Sequence, residues 1–165
     1  MVRWQWLSFA ELSSEQLYEI LRARQEVFAV EQHCPYQDAD GRDQVSRHLA
    51  GWHQAGMHRE SDHPLLLAYL RVVFPGEKYA EPSIGRVLTT SSARGTGLGR
   101  ELMRRALRHT QETFPGAPIR ISAQQHLEKF YGEFGFVQAS EPYDEDGIPH
   151  IEMLRPAFTL PITEK

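Results

Sequence analysis

Residues 83–113 constrain this chain more than any other stretch. A strand-forming run, Ser83–Thr90 (Ser-Ile-Gly-Arg-Val-Leu-Thr-Thr), passes through Ser92-Ala93-Arg94-Gly95-Thr96-Gly97-Leu98-Gly99-Arg100 into a helix predicted from about Leu98 to Thr113. Leu98, Leu102, Ala106 and Leu107 share the inner face of that helix. Pro118–Ala123 reads as the next strand. Strand, helix and strand in this order demand a parallel pair joined by a right-handed crossover. The chain therefore belongs to an α/β class built on a mixed sheet. Residues without side chains at Gly95, Gly97 and Gly99 let backbone N–H groups approach a ligand closely. The start of the helix adds a partial positive charge, and together they suit an anion such as a diphosphate. Taken alone, the segment is equally consistent with a turn that merely caps a helix.

Spacing narrows the ligand. A P-loop needs a Gly-Lys-Ser/Thr ending, and no lysine stands here. A dinucleotide fingerprint counted from Gly95 meets Arg100 where its third glycine belongs.

The remaining elements follow from pattern. Trp4 and Trp6 alternate with Gln5 in a first strand, Arg3–Ser8. Ser13 and Gln16 form a capping box for a helix of about four turns, with Leu17, Ile20, Leu21, Val27 and Phe28 on its buried face. His33–Val45 is polar and turn-rich and reads as a long surface loop. Strands are predicted at His48–His53 and Leu65–Phe74, the second a continuous apolar run that belongs in the middle of a sheet. Leu127, Phe130, Tyr131 and Phe134 fall on one face of a short helix, with Gly135 as its left-handed cap. Phe136–Gln138 and Ile151–Leu154 are predicted to pair as a hairpin around the turn Asp146–Gly147.

With 165 residues the chain fits one domain, 1–165. A net charge of -4 and the lack of a basic stripe argue against a nucleic-acid partner. No segment has the roughly 20 apolar residues of a membrane helix, and Met1–Trp6 lacks a secretory signal pattern. The one cysteine, Cys34, has no partner for an internal disulfide. A cytoplasmic protein is the expectation. Eight histidines raise the question of a metal, but His48, His53, His58 and His63 recur every five residues and form no zinc-type pair, so none is expected.

Arg94-Gly95-Thr96-Gly97-Leu98-Gly99 resembles, without departure, the Arg/Gln-x-x-Gly-x-Gly/Ala signature of the GNAT acyltransferases. Phe130-Tyr131-Gly132-Glu133-Phe134-Gly135-Phe136 is similar to the family's second motif. Val27–Asp38 and Glu145–His150 look like its ElaA-type bacterial branch, and the resemblance spans nearly the whole chain apart from the variable stretch His53–His63. It implies the acyl-CoA N-acyltransferase fold: a mixed, mostly antiparallel sheet whose central parallel pair is splayed, flanked by helices. It implies acetyl-CoA as co-substrate and a small-molecule or peptide amine as acceptor, in a monomer or homodimer. Val87, Leu88 and Thr89 would pair with the pantetheine arm, with a backbone N–H near Leu88 polarising the thioester. Backbone groups of Arg94, Gly95, Thr96, Gly97, Leu98, Gly99 and Arg100 would hold the pyrophosphate. Tyr131, which pattern alone reads as core, would protonate the departing thiolate after direct attack by the amine, with no acyl-enzyme.

Deprotonating an amine calls for a base. Ile84–Thr90 contains no carboxylate, which leaves Glu31, Asp38, Asp40, His48, Glu145 and His150. Glu31 is the first choice, because it stands where an apolar helix face gives way to the loop, and His150 is the second. If the acidic loop Glu31–Asp43 borders the cleft, it should favour cationic acceptors. Two alternatives stay open: a non-catalytic CoA-binding module, and transfer of another acyl group or to a hydroxyl.

Overall fold

A computed structural model describes residues 1–54 and 63–157. Among the described residues, eight strands fall into two antiparallel sheets. The first, in the order β1 (Val2–Ser8), β2 (Ser46–His53), β3 (Leu66–Val73), β4 (Ser83–Thr89), is a meander of neighbours in sequence. In the second, β8 (Ile148–Arg155) lies between β5 (Ile119–Gln124) and β6 (Val137–Gln138) and also pairs with β7 (Tyr143–Glu145). Helix α1 (Ser14–Arg24) follows β1, α2 (Leu98–Thr113) crosses from β4 to β5, and α3 (Glu128–Gly132) precedes β6.

The capping box opens α1 as the sequence requires: the Gln16 N–H donates to Ser13 Oγ at 3.1 Å, and the Ser13 N–H donates to Gln16 Oε1 at 3.0 Å. The helix does not run on regularly through Phe28. It passes into a π-helical segment, Gln25–Glu31, which turns Val27 and Phe28 toward the site described below.

Two cores cover the two faces of the first sheet. Leu102, Met103 and Ala106 of α2 pack with Leu70 and Val72 of β3 and with Ile121 and Ile151 of the second sheet. Ile20 and Ala23 of α1 pack with Trp52, Leu66 and Tyr69 on the other face. Helix α2 is thus the apolar link between the sheets. Leu66–Val73 is central in its sheet, as its apolar run demands.

The hairpin expected around Asp146–Gly147 differs in one respect. That turn joins β7 to β8, with Asp146 at φ 52° and Gly147 at φ 82°, while β6 pairs further along β8, Val137 opposite Leu154. Positive φ at both central residues is what a two-residue hairpin turn needs. Residues 55–62 of the stretch His53–His63, including His58, lie outside the described residues.

Candidate active site

The site begins where the sheet fails to close. Strands β4 and β5 start side by side, with the Arg120 N–H donating to the Pro82 carbonyl at 3.1 Å, but form no ladder beyond that base. The register explains the divergence. Tyr69 faces Leu88 and Arg71 faces Gly85, so β4 spends one more residue than β3 between the two pairs. This bulge sits at Arg86–Val87, with Arg86 in the left-handed region at φ 52°. Bulges bend and twist a strand, here away from β5. The result is the splayed parallel pair that the fold implies. It encloses a cavity of about 670 Å³, lined by Val87, Leu88 and Thr89 on one wall and by Ile121, Ser122 and Gln124 on the other.

At the open end of β4 lies the glycine-rich turn. Gly95 (φ 75°) and Gly97 (φ 84°) are left-handed, and a Cβ at either would meet no protein atom within 4 Å. Thr96 Oγ1 pins the turn by donating to the Ala93 carbonyl at 2.5 Å. Gly97 is the N-cap of α2 and offers no side-chain acceptor. The first N–H groups of a helix have no partner within the helix, so those of Leu98, Gly99 and Arg100 face outward beside a positive helix end. The flanking side chains are engaged elsewhere: Arg94 pairs with Glu31 at 2.6 Å and Arg100 with Glu133 at 3.0 Å. The cradle offers main-chain N–H groups, and their chemistry fits a phosphate ester.

Tyr131 borders the cavity from α3, its ring packed edge-on against Phe130 and Phe136. A tyrosine that serves only the core ordinarily finds a partner for its hydroxyl. Among the described residues this one has none, although it is 7% exposed. Burial pushes its pKa up to about 12, so it carries its proton throughout the physiological range.

Two base candidates meet on the cavity wall contributed by the second sheet. His150 Nδ1 lies 2.7 Å from the Ile148 carbonyl, and Nε2 lies 3.0 Å from Glu145 Oε2. A carbonyl only accepts, which assigns a proton to Nδ1; the carboxylate at Nε2 also accepts, so the proton that exchanges is shared between Nε2 and Glu145. The adjacent carboxylate stabilises the imidazolium that forms. Glu145 is further held by Ser122 Oγ at 3.4 Å, and Ser122 in turn by the Tyr143 hydroxyl.

The other base candidates are engaged by partners. Glu31, the first choice, is not among the residues lining the cavity, and its carboxylate pairs with Arg94 at 2.6 Å. His48 is buried within the first sheet. Its Nε2 donates to the Asp43 carbonyl and its Nδ1 accepts from the Tyr69 hydroxyl, each at 2.8 Å.

Asp38 and Asp40 belong, with Asp43, to a network with three arginines. Arg24 reaches Asp38 at 2.8 Å and Asp43 at 2.7 Å. Arg71 reaches Asp40 at 2.5 Å and Asp43 at 2.8 Å, and Arg86 reaches Asp38 at 2.8 Å. Burial alone would raise the carboxyl pKa values of Asp40 and Asp43, but the hydrogen bonds and charges of Arg71 and Arg24 hold both below the ordinary range. The carboxylates of Asp38, Asp40 and Asp43 are therefore already paired, which takes away the free negative charge on which the expected attraction of cationic acceptors rested. Asp38 of this acidic loop also holds Arg86, the left-handed residue of the bulge. Sequence reasoning also passed over Lys78, a turn residue that lines the cavity and carries no local signal of that position. Among the described residues, no group of three or more His, Cys, Asp or Glu is placed to hold a metal ion. None of their helices is long and apolar enough to cross a membrane.

A sheet opened by a bulge, a main-chain anion cradle and an unpaired tyrosine at the wedge define the architecture of an acyl-CoA N-acyltransferase. Residues 57–155 match the acetyltransferase (GNAT) domain, and the chain belongs to that family. It is 42% identical to the protein ElaA of Escherichia coli over 157 residues, 94% of this chain and 97% of ElaA. A relative from Synechocystis sp. is 45% identical over 153 residues, 93% of this chain and 94% of that one. The crystal structure of an acyl-CoA N-acyltransferase from Pseudomonas aeruginosa superposes with a TM-score of 0.84 at 44% identity, covering 94% of this chain and 99% of that one. E. coli ElaA superposes with a TM-score of 0.82 at 41% identity, with the same coverage.

Proposed function

We propose that this protein transfers the acetyl group of acetyl-CoA directly to an amine, with Tyr131 as general acid and His150, backed by Glu145, as general base. One observation carries the reading. A single cavity joins the free edge of β4, a tyrosine hydroxyl without a protein partner, and a histidine whose exchangeable nitrogen faces a carboxylate. A protein that only sensed CoA would have use for the cradle but none for the other two.

Acetyl-CoA supplies an activated acetyl carbon as its thioester. The cradle from Arg94 to Arg100 suits its diphosphate, and Val87, Leu88 and Thr89 offer an unpaired strand edge to its extended arm. A backbone N–H near Leu88 would polarise the carbonyl. The His150–Glu145 pair takes a proton from the attacking amine as the nitrogen–carbon bond forms. Tyr131 gives its proton to the sulfur as the carbon–sulfur bond breaks, and recovers one from solvent as the pair releases its own. No side chain is acylated, and Cys34, buried with its Sγ toward the Asp146 carbonyl at 3.4 Å, takes no part.

The test is thiol release from acetyl-CoA over a panel of alkylamines, polyamines, amino acids and peptides, followed by mass detection of the acetylated product. Tight binding of acetyl-CoA with no acceptor-dependent release across the panel would support the sensor instead.

A further inference from the structure

The balance of charge around the cavity identifies a second subsite. Arg24, Arg71 and Arg86 offset Asp38, Asp40 and Asp43 three against three. Three further cations stand on the cavity wall, of which Arg94 is paired with Glu31, leaving Lys78 and Arg42; Glu145 and Asp146 are the wall's other carboxylates. Among the described residues, no carboxylate comes within salt-bridge distance of Lys78, and Arg42 reaches only Asp40, at 3.6 Å, whose carboxylate Arg71 already holds.

Lys78 is an exposed residue whose place on the cavity wall is set by its turn. It follows a tight turn between β3 and β4, where the Gly76 N–H donates to the Tyr79 carbonyl at 2.7 Å and Gly76 adopts φ 86°. Its Nζ lies 5.3 Å from the centre of the Tyr79 ring, and Arg120, itself tied to Glu81 and Glu152, stands 6.0 Å from the same ring. Although Lys78 is exposed, partial desolvation lowers its pKa and the charges of Arg86, Arg71 and Arg42 add to that lowering, against the attraction of Glu145. An anion brought to this position would relieve both penalties.

The two polarities stand at different places along one cavity. Lys78 and Arg42 come from the first sheet's side, beside Gly85 and Arg86, at the end of β4 remote from the glycine-rich turn; Glu145 and His150 come from the second sheet. Glu145 acts on Lys78 through its field without forming an ion pair with it.

We propose that Lys78, with Arg42 beside it, is a carboxylate subsite, and that the acceptor is a small amine bearing its own carboxylate, an amino acid rather than an alkylamine or polyamine. The inference rests on the acetyl-transfer reading above. The amine meets the His150–Glu145 pair and the carboxylate meets Lys78, so each charge of a zwitterion faces its opposite.

The experiment compares kcat/KM for a panel of α-amino acids, each against its own carboxamide, in the wild type, Lys78→Met and Lys78→Arg. A dipeptide arm separates a free amino acid from a peptide terminus. The acids should lead their amides at least tenfold in the wild type; Lys78→Met should collapse that ratio toward one, through KM rather than kcat, and Lys78→Arg should restore most of it. Equal use of acids and amides, or turnover confined to alkylamines, polyamines or dipeptides, overturns the proposal while leaving acetyl transfer intact. If no amine is acetylated, acetyl transfer itself fails. The subsite is then judged by calorimetric titration of N-acetylated amino acids and their amides into CoA-loaded protein: preference for the acids that is lost in Lys78→Met upholds it, and equal affinity overturns it.

Discussion

Replacing Tyr131 with phenylalanine removes one atom, and the structure says what that atom contributes. Among the described residues, its hydroxyl accepts from and donates to no protein group, so the substitution breaks no hydrogen bond. The ring contacts with Phe130 and Phe136 are retained. The hydroxyl is not among the sealed, unpartnered polar atoms and borders the cavity, so the fold loses and gains little by its removal. The variant should therefore melt within about 2–4 °C of the wild type, the shift that ~1 kcal/mol gives in a domain of this size. Turnover, by contrast, should fall. A proton donor that acts as the carbon–sulfur bond breaks is felt mainly in the transition state, so kcat falls while acetyl-CoA affinity holds. General-acid assistance contributes about 10²–10⁴-fold, and the low end applies because a thiolate is a tolerable leaving group. The measurements are a melting curve, an acetyl-CoA titration and steady-state kinetics on one preparation. A kcat within about twofold of wild type, well short of the general-acid range, would refute the assignment; a large drop in Tm would show a buried partner that the reasoning excludes.

Gly97→Glu should abolish acetyl-CoA binding measured by calorimetry while native circular dichroism is kept, because its Cβ meets no protein atom and the left-handed strain costs only about 1–2 kcal/mol; retained affinity would remove the donor-site assignment. Asp43→Asn breaks a buried contact to both Arg24 and Arg71 and should lower unfolding stability in urea by about 3–5 kcal/mol. The carboxyls of Asp40 and Asp43 titrate lower in the fold than in the unfolded chain, so the stability they add is present above about pH 3.9 and is lost as pH falls below it. Urea midpoints from pH 7 down to pH 3 should show that loss, and Asp43→Asn should flatten it. His150→Gln should lower kcat/KM at neutral pH and be partly rescued as pH rises and the free amine becomes abundant; an unchanged pH profile would dismiss it as the base.

What could be read from the sequence was what local spacing encodes. The glycines at 95, 97 and 99 carry the turn, the i, i+3, i+4, i+7 pattern carries α3 with Tyr131 inward, and Ser13 with Gln16 carries the start of α1. What could not be read depends on partners far apart in the chain. Asp38 and Asp40 look like a solvated acidic loop until Arg24 and Arg71, 14 and 31 residues away, are seen to reach them. Glu31 sits at a suggestive boundary, but its partner Arg94 is 63 residues on. The bulge at Arg86 leaves no mark in Ser83–Thr90, because an arginine in the left-handed region looks like any strand arginine until Asp38 fixes it. His150 and Glu145 were both visible as candidates; only the short hairpin turn at Asp146–Gly147 makes them a pair.

The failure of β4 and β5 to pair has a bearing on solubility. An unpaired strand edge is a template on which another chain can add, and proteins usually blunt such edges at the rim of the sheet. Here two facing edges lie inside the fold, in a wedge closed at its base by the bond from Arg120 to Pro82. A strand from a second protein arrives with its own sheet and side chains and is too bulky for that space, whereas a single extended arm can slide in. The opening thus filters visitors by thickness, and the chain can keep adhesive edges ready for a ligand without offering them to its own copies.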